Sequence, residues 1–473
     1  MHIKNLGPIK DISINLNDFN VFIGENGTGK TIAAYAIYSF AYWLKRFYTP
    51  HFYNESDIKR VIQGENLSIS EENLKAYFYE KIPNNFNHIT SDYFKAFFRN
   101  KGIFTSESSI RVDKDDVKAF LIPNVRKHGW YFSWSYEGDI SQTDTNASSI
   151  DSNVNNNGQL FNEILSSYNT NSKTIETNFL VSGIGTMSQL QPRNREDQLN
   201  SLVKNIGIEK AVNFVNQGIK NILFDCDYIY LPAERIGINV FRPYLNLTRL
   251  NKGTQNTENS NQNGLEKYAQ PIESYITFLN NKLKESETTA YNDFFFSNPS
   301  KIKGFVHQLV PGNFEYNLEN DTIHYQLPQS EDRVDFELLS SSLKSIFGLD
   351  LFLKHNKIGD WLFCDEPEMN LHPKNQVIVA KLLYELVKEG YKLLVSTHSD
   401  YLVKTIINCG LKDRVEKNDF PQKINVYNFS KNSIQKLDDI FEIDTSISNF
   451  DETTDEINNE YFSLVDELEN EEK

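Results

Sequence analysis

"VFIGENGTGKTIAAYAIYSF", residues 21–40, is the stretch that decides the fold. Val21, Phe22 and Ile23 form a short apolar run that reads as a buried strand, and the run stops at Gly24. Residues 24–31, "GENGTGKT", fit the pattern G-x-x-x-x-G-K-[ST], and a helical stretch over about 31–47 follows at once, apolar on most faces. Strand, glycine-rich loop and helix, in that order, are the context that gives the pattern its meaning. Glycines let successive backbone N–H groups close around phosphate oxygens, and the helix N-terminus adds its partial positive charge. Asn26, Gly27, Thr28, Gly29, Lys30 and Thr31 are therefore candidate phosphate-binding residues. Lys30 is expected to reach the β- and γ-phosphates of a nucleotide, and the Thr31 hydroxyl to ligate Mg²⁺. The alternative is a glycine-rich turn that fits by chance, and the flanking elements argue against it.

A nucleotide phosphate loop needs a metal ligand and a water-activating group on a neighbouring strand. "WLFCDEPEMNLHP", residues 361–373, offers both. Its first four residues are apolar, as a central parallel strand requires, and they end in two adjacent carboxylates. Asp365 is expected to orient Mg²⁺ through water, and Glu366 to position and polarise the attacking water. Without the phosphate loop the same pair would read as a strand end meeting solvent. A helix over about 373–389 follows, with Pro373 at its start and Gly390 beyond its end. "YKLLVSTHS", residues 391–399, is the next strand, so strand, helix and strand make a βαβ unit and a parallel sheet. His398 ends that strand, where a donor would face the γ-phosphate; a purely structural histidine is the alternative.

The rest of the chain sets bounds. Its 473 residues are 39% hydrophobic and 13% aromatic, enough to bury a large core. No apolar run approaches the roughly 20 residues of a membrane span, and the N-terminus enters a strand pattern with no apolar signal segment. Cys226, Cys364 and Cys409 are odd in number and far apart, which argues against a disulfide framework or zinc cluster and fits a reducing cytoplasm. Net charge is −16, and residues 451–473 carry ten Asp/Glu against one Lys. That balance counts against a uniformly basic nucleic-acid surface.

Four segments emerge: 1–48, the start of an α/β domain with its phosphate loop; 49–222, a mainly helical insertion; 223–445, the remainder of the domain; and 446–473, an acidic tail. Ile12, Ile14 and Leu16 alternate as in a half-buried strand. In the insertion, Ser68 with Glu71 reads as a capping box. Thr90 and Ser91 open a Phe-rich helix (Phe94, Phe97, Phe98) with Gly102 as its C-cap. Residues 141–159 and 251–264 are Ser/Asn-rich and read as flexible loops. "FDCDYIYLPAERIGI", 224–238, reads as a strand running into a loop; 313–327 as a hairpin about Asn320-Asp321; and 338–355 as a loop and then a helix. Ile457, Tyr461, Leu464, Val465 and Leu468 could share one face of a helix in the tail, for self-packing or for contact with a partner.

The phosphate loop, "DEPEMNLHP" and "STHSD", in that order, resemble the ABC-type ATPases of the RecF/SMC/OLD group, and the opening "IKNLGPIKDISI" is similar to the start of those proteins. The resemblance covers roughly 1–45 and 225–410. It implies an α/β fold, a P-loop ABC-type ATPase head with mixed and parallel sheet, that binds ATP and Mg²⁺, hydrolyses ATP and closes head-to-tail as a homodimer, alone or within a higher homo-oligomer. It also implies a signature loop that completes the partner's site. Ser340, Ser341 and Ser342 stand at that place, with Ser342 where many relatives have Gly; a serine helix cap is the alternative. Met369, Asn370, Leu371 and His372 would then meet the other protomer. "YLPAERIGI" resembles a Pro-Ala-x-Arg segment, in which Arg235 either faces nucleotide or dimer interface or makes a structural ion pair. No glutamine has the context of the family's Mg²⁺-sensing one.

No long heptad pattern marks an SMC coiled coil, and the roughly 75 residues after His398 are too few for a TOPRIM nuclease. The resemblance therefore implies a stand-alone ATPase controlling a separately encoded effector, a nuclease or toxin, in PARIS-like or Septu-like bacterial anti-phage defence. The alternative is a RecF-like repair ATPase clamping duplex DNA, for which Arg235, Arg242 and Arg249 are spaced as a stripe. A transporter subunit is disfavoured by the "PEMNLHP" continuation and the insertion, and a degenerate scaffold by intact Lys30, Thr31, Asp365 and Glu366.

Overall fold

A computed structural model of the chain describes residues 1–62, 67–100, 102–121, 131–135, 161–169, 174–182, 208–253, 268–285, 299–417, 423–431, 434–437, 459 and 461. The expected loop at 141–159, most of the one at 251–264 and the tail stripe apart from Tyr461 lie outside the described residues. In chain order the elements begin with β1 (His2–Leu6), β2 (Ile9–Ser13), β3 (Phe19–Gly24), α1 (Lys30–Arg46), α2 (Glu55–Ile62), β4 (Leu67–Ser70), α3 (Glu71–Asn87) and α4 (Ser91–Phe98). Next come β5 (Phe104–Arg111), α5 (Lys114–Phe120), β6 (Tyr131–Ser135), β7 (Phe161–Asn169), β8 (Thr174–Ser182), α6 (Ile208–Phe224), β9 (Tyr228–Leu231) and α7 (Arg235–Gly253). Then follow α8 (Gln270–Glu285), α9 (Pro299–Leu309), β10 (Asn313–Asn317), β11 (Thr322–Gln326), β12 (Arg333–Asp335) and α10 (Ser341–His355). The series closes with β13 (Trp361–Asp365), α11 (Pro373–Lys388), β14 (Lys392–Ser396), α12 (Asp400–Val415), β15 (Ile424–Phe429) and β16 (Ile434–Lys436). Two compact units form: Met1–Ala41 with Ile89–Val112 and Cys226–Lys473, and Tyr42–His88 with Asp113–Asp225.

The first unit is built on a sheet of order β16-β15-β3-β14-β13-β9 among the described residues. All neighbours run parallel except β16 on β15. The fold class is thus α/β with a largely parallel sheet. β13 and β14 are buried at every position, because helices cover a parallel sheet on both faces. The expected βαβ unit is present as β13-α11-β14, with Trp361 opposite Lys392 and Asp365 opposite Ser396. Leu362, Leu393, Val395, Val21 and Val426 belong to one core with Leu383, Leu386 and Phe352 from the helices. Each such side chain contributes about 1.5–3 kcal/mol on burial. The hairpin about Asn320-Asp321 also forms, β10 against β11, with Asp321 left-handed at φ +54°. After β9 the chain does not enter a long loop: it turns and starts α7 at Arg235.

β1 pairs with β2 on one side and β5 on the other, so residues 89–112 join the first unit through a strand made far along the chain. The Phe-rich helix α4 starts after Thr90 as expected, but it ends on left-handed Arg99 (φ +52°), whose N–H bonds Lys95 O, and not on Gly102.

The second unit is not helical throughout. Beside α2, α3, α5 and α6 it holds an antiparallel sheet of order β4-β8-β7-β6 among the described residues. β7 and β8 pair over nine positions, from Phe161↔Ser182 to Asn169↔Thr174. The N-cap of α3 is Ser70, whose hydroxyl accepts from Asn73 N, while Ser68 lies in β4. Buried Lys220 donates to Tyr48 O (2.9 Å) and Leu44 O (3.4 Å) and so satisfies carbonyls at the end of α1; burial pushes its ammonium down to about 8.

Candidate functional site

β3 lies between β15 and β14, and its C-terminal end delivers the chain into residues 24–31. Gly24 has φ +126°, and a Cβ there would sit 2.0 Å from Phe429 O on β15. No side chain fits that close approach of two strands. Gly27 (φ +75°) turns the loop where nothing stands within 4 Å, so its backbone is open to solvent. Thr28 Oγ1 donates to Glu25 O (2.8 Å). Lys30, 6% exposed, folds back and donates to Gly24 O and Glu25 O, both at 2.7 Å. Burial lowers its pKa to about 8, against the opposing pull of Glu366, Asp365 and Glu368. Asn26 and Thr31 are exposed. The loop is thus formed, with its cation parked on its own carbonyls.

Asp365 closes β13 and is 2% exposed. Ser396 Oγ donates to one of its carboxylate oxygens and Tyr230 Oη to the other, at 2.7 Å for the tyrosine. Burial pushes its pKa up to about 6, in spite of those two donors. Glu366 follows in a left-handed conformation, φ +46°, unusual for a residue with a side chain. Its N–H bonds Ser396 O (2.9 Å), and its carboxylate is half exposed, 3.8 Å from His398 Nε2. Burial and the Lys30 ammonium push the His398 imidazole down from its ordinary value, which favours the neutral ring. The Glu366 carboxylate and a hydrogen bond to the Gly24 backbone act the other way. Lys30, Asp365, Glu366 and His398, far apart in sequence, therefore meet at the C-terminal ends of β3, β13 and β14.

Ser340, Ser341 and Ser342 do not act alike. Ser340 is the N-cap of α10, its Oγ accepting from Leu343 N (3.3 Å). Ser342 Oγ donates to Asn370 O (2.8 Å), and Ser341 is exposed. Of the arginines read as a stripe, Arg235 and Arg242 are each 2% exposed. Arg242 pairs with Asp321 at 2.7 Å, so neither offers itself to a nucleic-acid backbone, and the Arg249 side chain lies outside the described residues. Arg235 also departs from both readings made of it: it bonds five neutral oxygens and no carboxylate.

Tyr230, Ser396 and Glu368 were not singled out in the sequence. Glu368 Oε1 accepts from Thr397 Oγ1 (2.7 Å) and His398 N (2.9 Å), which fixes the turn that carries His398. Its Oε2 is buried with no hydrogen-bond partner among the described residues, and burial raises its pKa. The acid three residues after Asp365 was a visible signal; the two hydroxyls were not, because strand register alone brings them there.

The family profile described as "AAA ATPase domain" matches residues 1–403. No curated protein matches. Among solved structures, an Smc head bound to the C-terminal winged-helix domain of ScpA is 11% identical at TM-score 0.32, covering 92% of this chain and 95% of that one. The Pyrococcus furiosus Smc head with an extended coiled coil, bound to the C-terminal domain of ScpA, is 14% identical at TM-score 0.30, covering 96% and 98%. The Thermotoga maritima SMC head domain is 11% identical at TM-score 0.27, covering 92% and 96%.

Proposed function

The chain belongs to the AAA ATPase domain family, and on that premise we propose that it binds ATP with Mg²⁺ and hydrolyses it in a head-to-tail homodimer. The observation that carries this reading is the convergence of Lys30, Asp365, Glu366 and His398 at adjoining strand ends. Asn26, Gly27, Thr28, Gly29 and Lys30 hold the phosphates. On binding, Lys30 exchanges the Gly24 and Glu25 carbonyls for phosphate oxygens. The donors available for Mg²⁺ are hard oxygens, the Thr31 hydroxyl and the Asp365 carboxylate, and these suit that ion. Mg²⁺ would neutralise charge on the β- and γ-phosphates. Glu366 orients and polarises the attacking water, and neutral His398 donates toward the γ-phosphate. Ser340, Ser341 and Ser342 of one protomer complete the site of the other, with the loop that Ser342 and Asn370 share at the contact.

The finer reading is that ATP-driven closure and opening hold and release a separately encoded effector, a nuclease or toxin, in cytoplasmic anti-phage defence, with the 49–222 insertion reading trigger or effector. The family resemblance supports it. Among the described residues no helix is long and apolar enough to cross a membrane. The burial of Arg235 and Arg242 weighs against the duplex-DNA clamp.

Glu366→Gln should retain ATP binding, lower turnover roughly a hundredfold or more, and accumulate an ATP-dependent dimer in light scattering. Turnover at the wild-type rate would remove Glu366 from its role. Lys30→Ala should lose ATP binding outright.

A further inference from the structure

Arg235 uses every donor it has, and every acceptor is neutral. Nε donates to Ser345 O (3.0 Å); one terminal nitrogen donates to Pro232 O (3.2 Å) and Asp365 O (2.7 Å); the other to Ser345 Oγ (3.0 Å) and Glu366 O (2.7 Å). A guanidinium has five N–H bonds, so none is left over. A charge 2% exposed with no carboxylate partner is costly to bury, and hydrogen bonds to carbonyl dipoles are its compensation here. Its anchors belong to three different pieces of chain: the turn after β9, α10 at Ser345 just past its first turn, and the end of β13.

The bond to Glu366 O falls at the left-handed residue, φ +46°. Its N–H is fixed by Ser396 O at 2.9 Å, so the backbone of Glu366 is gripped from both sides. Left-handed conformations at residues with side chains persist when the surroundings over-determine them. The α10 end of the clamp is tied to the same loop twice more. Ser345 Oγ donates to Met369 O (2.8 Å), and Ser342 Oγ to Asn370 O (2.8 Å).

We propose that Arg235 is a positioning residue that holds the Glu366 backbone in its left-handed conformation and locks it to the serine turn of α10. The serine turn and the water-orienting carboxylate then move as one body. A displacement of the turn shifts the carbonyl of Glu366, and with it the direction of its side chain. This rests on the ATPase reading above, and its refutation is separable from that reading.

The test measures kcat and ATP affinity for Arg235→Lys and Ser345→Ala, beside wild type and Glu366→Gln. An ammonium has three donors on a point and cannot span five acceptors in a plane. Arg235→Lys should lower kcat tenfold or more while ATP Kd changes less than threefold, and in the Glu366→Gln background it should still give the ATP-dependent dimer. Ser345→Ala removes one acceptor of the clamp and the tie to Met369, and should lower kcat about threefold. The double variant should fall short of the product of the two single effects, because both substitutions break the Arg235–Ser345 bond. If Arg235→Lys does not fold, Ser345→Ala decides: reduced kcat at unchanged Kd supports the clamp, and wild-type kcat overturns it. A folded Arg235→Lys with kcat within twofold of wild type, or with kcat and affinity lost in equal measure, also overturns it. If wild type has no ATPase activity or Glu366→Gln turns over normally, the ATPase reading fails first; if those controls hold, only the clamp is at stake.

Discussion

Two loops face each other across the strand ends, and they are held in opposite ways. Residues 24–31 take positive-φ turns at Gly24, Gly27 and Gly29, and most of their side-chain bonds close within the loop, Thr28 to Glu25 and Lys30 to Gly24 and Glu25, with the Glu25 carboxylate alone reaching out, to Lys431 at 3.4 Å. Residues 365–371 also turn left-handed, but at Glu366 (φ +46°) and Asn370 (φ +62°), which carry side chains. Beside two backbone turn bonds of their own, Met369 N to Glu366 O and Leu371 N to Glu368 O (both 3.0 Å), their side-chain bonds come from outside: Ser396 and Tyr230 on neighbouring strands, Arg235 on α7, Ser342 and Ser345 on α10. One loop takes its turns from its own glycines. The other is a property of the fold, and a loop so held can report on what the fold is doing.

If that contrast is right, the largest single effect lies where the local loop meets the sheet. Gly24→Ala places a Cβ 2.0 Å from Phe429 O and 2.8 Å from its carbonyl carbon, both backbone atoms of β15. Neither can rotate aside, so β3 and β15 must separate. The expected outcome is a loss of about 3 kcal/mol or more, seen as a thermal transition lowered far below wild type or as insoluble protein. A wild-type melt would mean that the pairing of Gly24 with Phe429 is dispensable.

Gly27→Ala is the next in size and separates geometry from packing. Nothing stands within 4 Å of the new methyl group, so its only cost is the left-handed backbone at φ +75°, about 1–2 kcal/mol. That cost should fall on the loop alone, as ATP affinity lowered roughly tenfold with the melting transition little changed. An unaltered Kd, measured by titration calorimetry, would show that the loop does not need this conformation to bind.

The same contrast explains what could be read in the sequence. The phosphate loop, the β13-α11-β14 unit and the β10–β11 hairpin were legible, since each is set by neighbours in the chain: glycines, an apolar run, an Asn-Asp turn. That Asp365 and Glu366 end a strand near the glycine-rich loop was legible too, and so was the order of segments. Their support was not. Tyr230 reaches Asp365 only because β9 pairs with β13 in one register, Tyr230 opposite Phe363. Arg235 looked like an interface or ion-pair residue because a single sequence gives no sign of which carbonyls a guanidinium will find. β5 was missed because its partner β1 lies about a hundred residues earlier, with Ile3 opposite Ile110. Ser68 and Ser70 are both fit to cap a helix, and only hydrogen-bond geometry chooses Ser70.

The smallest effect asks whether the carboxylate loop is indeed held from outside. Asn370 is exposed, left-handed at φ +62°, and its carbonyl accepts from Ser342 Oγ. If the fold imposes this conformation, the residue need only tolerate it. Asn370→Gly should then be neutral within about 0.5 kcal/mol, and Asn370→Ala should cost about 1 kcal/mol, the left-handed penalty without the local help an asparagine side chain gives. Unfolding midpoints of the two variants, compared side by side, measure this difference directly. A glycine variant less stable than the alanine one would mean that the loop depends on its own side chains to stay turned, and the contrast with residues 24–31 would dissolve. Alanine as stable as asparagine would sharpen it the other way: the bonds from Ser342 and Ser345 would hold the turn whatever stands at 370.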